Sequence, residues 1–144
     1  MLANAERKAR AVADRGDDHL PVLGVDTIVT LRGRVYGKPD DRAAAIATIA
    51  SLAGETHTVV SGLCLIAADG GSARAGVAET DVVFRALRPD EVEAYVDTGE
   101  WRDRAGGYAI QGRGALLVSE IHGDYLNVVG LPVAELARVA PELF

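Results

Sequence analysis

Cysteine, lysine, aromatics and long apolar runs are all scarce in this sequence. Of its 144 residues, one is cysteine, Cys64. A single thiol excludes a disulfide within the chain and a zinc centre built on cysteines. Cys64 stands in the apolar run Gly62-Leu63-Cys64-Leu65-Ile66, so a buried, inert thiol in a reducing cytoplasm is expected. No apolar stretch nears the ~20 residues that span a bilayer. The first residues turn charged at once, at Glu6-Arg7-Lys8, unlike a signal peptide. Net charge is −6 and no basic arm or helix stands out, which argues against coating nucleic acid. The three histidines, His19, His57 and His122, have no metal-binding or zincin spacing. No phosphate-binding glycine-lysine loop or nucleophile elbow occurs.

What remains is an ordinary folding composition, 49% hydrophobic and 25% charged, long enough for one domain over residues 1–144. Residues 3–15 read as an Ala-, Arg- and Glu-rich helix ended by Gly16–Pro21. Residues 22–31 read as a strand, with a tight turn at Arg32-Gly33 and a return strand, 34–36. Asp41 or Asp40 caps a second helix, whose apolar stripe is Ile46, Ile49, Ala50 and Ala53, with Gly54 as its stop. Residues 56–68 and 74–85 form a hairpin across Asp69-Gly70-Gly71-Ser72. Pro89 opens a helix to about Thr98. A glycine-rich loop follows, then a strand over 115–121, then a terminal helix from Leu131-Pro132 to near Val139. This order predicts an α/β or α+β domain on a largely antiparallel or mixed sheet.

Two segments stand out chemically. In Leu23-Gly24-Val25-Asp26-Thr27-Ile28-Val29, a carboxylate interrupts a β-branched apolar run. A buried carboxylate is costly unless paired, metal-bound or catalytic. Gly37-Lys38-Pro39 returns past it. Lys38 and Lys8 are the only lysines. With a two-residue turn, Thr27 faces Lys38 and Asp26 faces Pro39, so strict alternation puts Asp26 and Lys38 on opposite faces, with Pro39 distorting the ladder. The second segment is Asp103–Gly112, where Gly106-Gly107 allow close backbone approach to a ligand and Gln111 offers both donor and acceptor. Tyr108 either stacks on a ring or fills core. Trp101 is expected at the surface or at an interface rather than as a base-stacking platform. Gly123–Pro132 reads as a packed turn in which Asn127 lines a wall.

Leu23-Gly24-Val25-Asp26-Thr27, Gly37-Lys38-Pro39, Ala105–Gly112 and Asn127-Val128-Val129-Gly130-Leu131-Pro132 occur in an order and spacing that resemble the Maf family of nucleoside triphosphate pyrophosphatases. Thr80–Arg85 and Tyr95–Glu100 resemble it too. The resemblance implies an α/β fold with a mixed sheet, flanking helices and a cleft between two lobes, similar to inosine triphosphate pyrophosphatases. It implies hydrolysis of a nucleoside triphosphate to monophosphate and pyrophosphate with a divalent cation, Mg²⁺ or Mn²⁺, in the cytoplasm and as a homodimer. By motif, Asp26 is the proton acceptor and metal ligand, Lys38 neutralises phosphate charge, and Lys8 is the lysine of the preceding helix. Thr27 and Gln111 match base-selecting positions. Ile110-Gln111-Gly112 resembles the branch acting on dTTP and UTP, where another branch is similar to Ser-Glu-Gly.

Departures carry expectations of their own. Arg104, on the substrate side, replaces a usual lysine, and Val25 replaces a common alanine. The family's leading strand and its Ser-x-Ser-Pro-Arg-Arg loop, which brings arginines and N–H groups to phosphates, have no counterpart in this sequence. Impaired catalysis is therefore expected, with a non-catalytic, nucleotide- or partner-binding relative regulating cell division as the alternative.

Overall fold

The computed structural model describes residues 1–15 and 20–144; His19 and most of the expected Gly16–Pro21 helix stop lie outside them. Five strands, β1 (Val22–Leu31), β2 (Arg34–Tyr36), β3 (Thr56–Ile66), β4 (Ala73–Phe84) and β5 (Val118–His122), form one sheet in the order β2-β1-β3-β4-β5. Every pairing is antiparallel, so the antiparallel form of the expected sheet is the one present. Five helices flank it: α1 (Leu2–Ala13), α2 (Arg42–Leu52), α3 (Pro89–Asp97), α4 (Tyr125–Val129) and α5 (Val133–Val139).

The two faces are built differently. On one, α1 lies alone, burying Ala5 and Ala9 against Cys64 and Ile66. The approach is close because β1 presents Gly24 there: a Cβ at Gly24 would collide with the Ala5 carbonyl and stand 2.8 Å from the Ala9 nitrogen. On the other face lies the main core, where Val29, Val59, Val82 and Phe84 meet Ile49 and Leu52 of α2 and Val92 and Val96 of α3. A second cluster joins Leu63 and Leu65 to Leu136 of α5.

Helix ends follow local chemistry. The Asp41 carboxylate accepts the Ala44 N–H at 2.7 Å, capping α2. Pro89 starts α3, and Glu91 reaches back to the Arg88 N–H at 2.9 Å. The buried residues of α2 are Ala45, Ile49 and Leu52, while Ala50 is exposed; the apolar stripe is thus rotated from the expected one. Residues 113–117 wind as a 3₁₀ turn before β5 rather than extending as strand. The expected turn at Gly123–Pro132 contains α4, capped by Asp124 at Leu126 and stopped by Gly130. Trp101 is buried in the main core beneath Arg102 instead of lying at the surface. Among the described residues, no helix is long and apolar enough to cross a membrane.

Candidate active site

The β1–β2 ladder runs from Leu31↔Arg34 to Val29↔Tyr36 and stops there. Gly37-Lys38-Pro39 then peels away, so Thr27 never pairs with Lys38. A cleft of about 250 Å³ opens where the strands part. It is lined from both faces of the sheet, by Lys8 and Asp26 on the α1 side and by Thr27, Val29 and Val59 on the other. Lys38 lies beyond the ladder, so strand alternation no longer assigns it a face, and both it and Asp26 line the cleft.

Asp26 is the anchored member. Its side chain is 16% exposed and Lys8 Nζ lies 2.7 Å from Oδ1. Asn4 Nδ2 donates to Oδ2 at 3.3 Å. The Lys8 ammonium also donates to the Val25 carbonyl at 3.0 Å. Asn4 and Lys8 are four residues apart on α1, one turn, so a single helix face grips the carboxylate. Burial alone pushes the Asp26 carboxyl up; the hydrogen bonds from Lys8 and Asn4 and the lysine charge outweigh it and hold the group below the usual carboxylate range. Asn4 escaped the sequence reading, and its spacing from Lys8 was the one available signal.

The opposite wall comes from residues 103–111. The Gly106 N–H donates to the Gly37 carbonyl at 3.0 Å. Gly106, at φ +70°, packs against the Val29 side chain, and Gly107, at φ +71°, against Pro39. These glycines therefore serve close packing of two loops on each other rather than approach to a ligand. Their union brings Lys38, Arg104 and Gln111, all exposed, to one rim. Asp103 stands beside them at φ +59°, an αL conformation that Asp tolerates better than most residues.

Behind the wall, Tyr108 is 6% exposed and touches both cleft and core. Its hydroxyl lies 2.8 Å from His57 Nε2. The Thr27 hydroxyl is 2.8 Å from that of buried Ser61, its partner across β1 and β3. Asn127 does not line the cleft. It is fully buried and donates to the Val59 carbonyl at 3.1 Å and to the Thr80 hydroxyl at 3.0 Å, while Val128, Val129 and Gly130 form the wall.

The arrangement thus offers two carboxylates, Asp26 and Asp103, with three cations and an amide around an open cleft in an acidic chain. Such a charge pattern suits a phosphorylated ligand with a polar ring. Among the described residues, no three His, Cys, Asp or Glu side chains converge as a metal cage. Asp26, with Asp103 also lining the cleft, fits a magnesium-like ion that arrives with phosphates, since such ions use one or two carboxylates plus phosphate oxygens.

Comparison with known proteins agrees with this geometry. A family model described as "Maf-like protein" matches residues 1–143. The dTTP/UTP pyrophosphatase of Moorella thermoacetica is 55% identical over 137 residues, covering 95% of this chain and 70% of that protein. The dTTP/UTP pyrophosphatase of Pyrococcus furiosus is 48% identical over 118 residues, covering 82% and 61%. That of Bacillus anthracis is 44% identical over 138 residues, covering 96% and 71%. With four ordered motifs converging on one cleft and the family model matching nearly its whole length, the chain belongs to the Maf family.

Proposed function

We propose that this chain, acting as one domain, hydrolyses dTTP, UTP or modified pyrimidine triphosphates to the monophosphate and pyrophosphate. The observation that carries the reading is the meeting of Asp26, Lys8, Lys38, Arg104 and Gln111 at one cleft, from segments as far apart as α1 and the loop after α3. The names of the relatives point to the same nucleotides.

Water attacks the α-phosphorus, the α–β bridging bond breaks, and pyrophosphate leaves. Asp26, held ionised by Lys8, orients that water and takes its proton. Lys38 and Arg104 offset negative charge as it grows on the phosphates. A divalent cation, Mg²⁺ or Mn²⁺, would be held by Asp26 and would supply charge neutralisation on the phosphates. The Gln111 amide, donor and acceptor at once, suits the N–H and carbonyl edge of uracil or thymine, and Thr27 lines the same cleft. The cleft sits near the lower end of ligand pockets, about 300 Å³, so part of the nucleotide remains in solvent. The reading places the protein in the cytoplasm as a homodimer, the latter checked by its mass in solution.

The test is pyrophosphate release from a panel of dTTP, UTP, CTP, ATP and GTP with Mg²⁺ or Mn²⁺. Release is expected from dTTP and UTP, and Asp26→Asn should lower it about 10²- to 10⁴-fold, the usual span for a lost acid–base group. Asp26→Asn matching the wild type would refute the assignment. Nucleotide binding with no release at all would instead make the chain a binding relative.

A further inference from the structure

Gln111 belongs to a short loop, Ala109–Gly114, whose backbone is pinned on both sides of it. On the upstream side, the Ala109 N–H donates to the Tyr95 hydroxyl at 3.0 Å. Downstream, the Arg113 N–H donates to Glu100 Oε1 at 2.8 Å and the Gly114 N–H to Glu100 Oε2 at 3.1 Å. Glycine is required at both downstream corners. A Cβ at Gly112, where φ is +155°, would stand 2.8 Å from Glu100 Oε1, and one at Gly114 would collide with the Ala109 carbonyl. The two ends of the loop therefore touch, and Gln111 is carried at the tip.

Tyr95 lies in the last turn of α3 and Glu100 just beyond its end. Tyr95 is 5% exposed, and neither residue lines the cleft. Burial and the neighbouring Glu100 charge hold the Tyr95 hydroxyl in its neutral form, while the Arg113 and Gly114 N–H groups keep Glu100 ionised against the burial that opposes it. The Gln111 amide itself makes no hydrogen bond among the described residues. Its backbone is fixed and its side chain is left to a ligand, the condition for a polar group that discriminates between ligands.

We propose that Tyr95 and Glu100 are positioning residues for base recognition, setting discrimination between nucleobases by fixing the Gln111 loop without touching the nucleotide. This rests on the reading of Gln111 as the group that meets the base. A side chain rooted in a displaced loop loses the alignment of its hydrogen bonds, and those bonds weaken steeply with angle. Lys38 and Arg104, read as the phosphate side, share no hydrogen bond with Tyr95 or Glu100 among the described residues.

The experiment measures the affinities of the full chain for UTP, ATP and tripolyphosphate with Mg²⁺ by calorimetry. Wild type is compared with Gln111→Ala, Glu100→Gln and Tyr95→Phe, each checked for a cooperative thermal transition. Gln111→Ala should erase the preference for UTP over ATP. Glu100→Gln and Tyr95→Phe should each reduce it about three- to tenfold, the size of one misaligned hydrogen bond, with tripolyphosphate affinity within about twofold of wild type. Should Glu100→Gln fail to fold, Tyr95→Phe decides the matter. If Gln111→Ala loses the preference while the two clamp variants keep it, the positioning role is overturned and base reading by Gln111 stands. If Gln111→Ala keeps the preference, or wild type has none, base reading falls and the clamp's role with it. A parallel drop in tripolyphosphate affinity would make Tyr95 and Glu100 general supports of the cleft and also overturn the proposal.

Discussion

Lowering the pH from 7 to 5 should destabilise this fold by about 2 kcal/mol through His57 alone. His57 is 1% exposed at the base of β3, packed edge-on against Phe84 and Tyr108. Its Nε2 meets the Tyr108 hydroxyl, and its Nδ1 has no partner among the described residues. Burial pulls its pKa from 6.5 down to about 4, with the Asp81 charge opposing weakly. The folded chain therefore keeps His57 neutral in a range where the unfolded chain binds a proton. Stability is full above about pH 6.5, falls as pH drops below it, and stops falling near pH 4. The limiting slope is about 1.4 kcal/mol per pH unit; at pH 5 the loss reaches about 2 kcal/mol, short of the limit because the unfolded histidine is still titrating at the start. Urea unfolding at pH 7, 6 and 5, for wild type and His57→Gln, isolates this contribution, since the carboxylates titrate alike in both. The wild type should lose about 2 kcal/mol more than the variant across that range. Parallel pH profiles, or a His57 proton resonance titrating near 6.5 in the folded protein, would refute the reasoning.

Two further outcomes are expected. Gly24→Ala should drive α1 off the sheet and lower stability by roughly 1–3 kcal/mol, as overpacking does, read as a shift in urea midpoint. An unchanged midpoint would show that α1 tolerates the methyl group. Lys8→Met removes the main support of ionised Asp26, leaving burial to push its carboxyl up. The acid limb of pyrophosphate release should then move to higher pH, and an unmoved limb would separate Asp26 from that limb.

The strands at the start of the chain were legible because their chemistry is local. Arg32 and Gly33, at φ +50° and +79°, make the two-residue turn that fixes the β1–β2 register, and the strand bounds 22–31 and 34–36 followed from it. Ala115-Leu116-Leu117 was misleading for the opposite reason. The apolar run Ala115–Val118 is too short to show a period, and here Leu116 is 70% exposed in a 3₁₀ turn. Helix α4 has five residues between two glycines, too few to show a stripe. Trp101 is buried by tertiary packing that no neighbour in sequence announces. Asp26, Lys38, Lys8, Thr27, Arg104 and Gln111 stood out by motif, and all six line the cleft. Their convergence was not legible, because it depends on where the β1–β2 ladder stops and on Gly106 donating to Gly37.

The sole tryptophan, Trp101, directly follows Glu100, which holds the Gln111 loop, and it belongs to the main core with Val59, Val82 and Phe84 of the β3–β4 hairpin. Its emission therefore reports the packing of that core beside the Gln111 loop. Far-ultraviolet circular dichroism is dominated by the hairpin and the helices, and tryptophan emission follows the packing around α3 and its following loop. A preparation in which that loop has loosened should keep its dichroism while its tryptophan emission moves to longer wavelength and its nucleotide binding falls. Emission wavelength, not secondary-structure content, is the measure of how much of a sample is competent to bind.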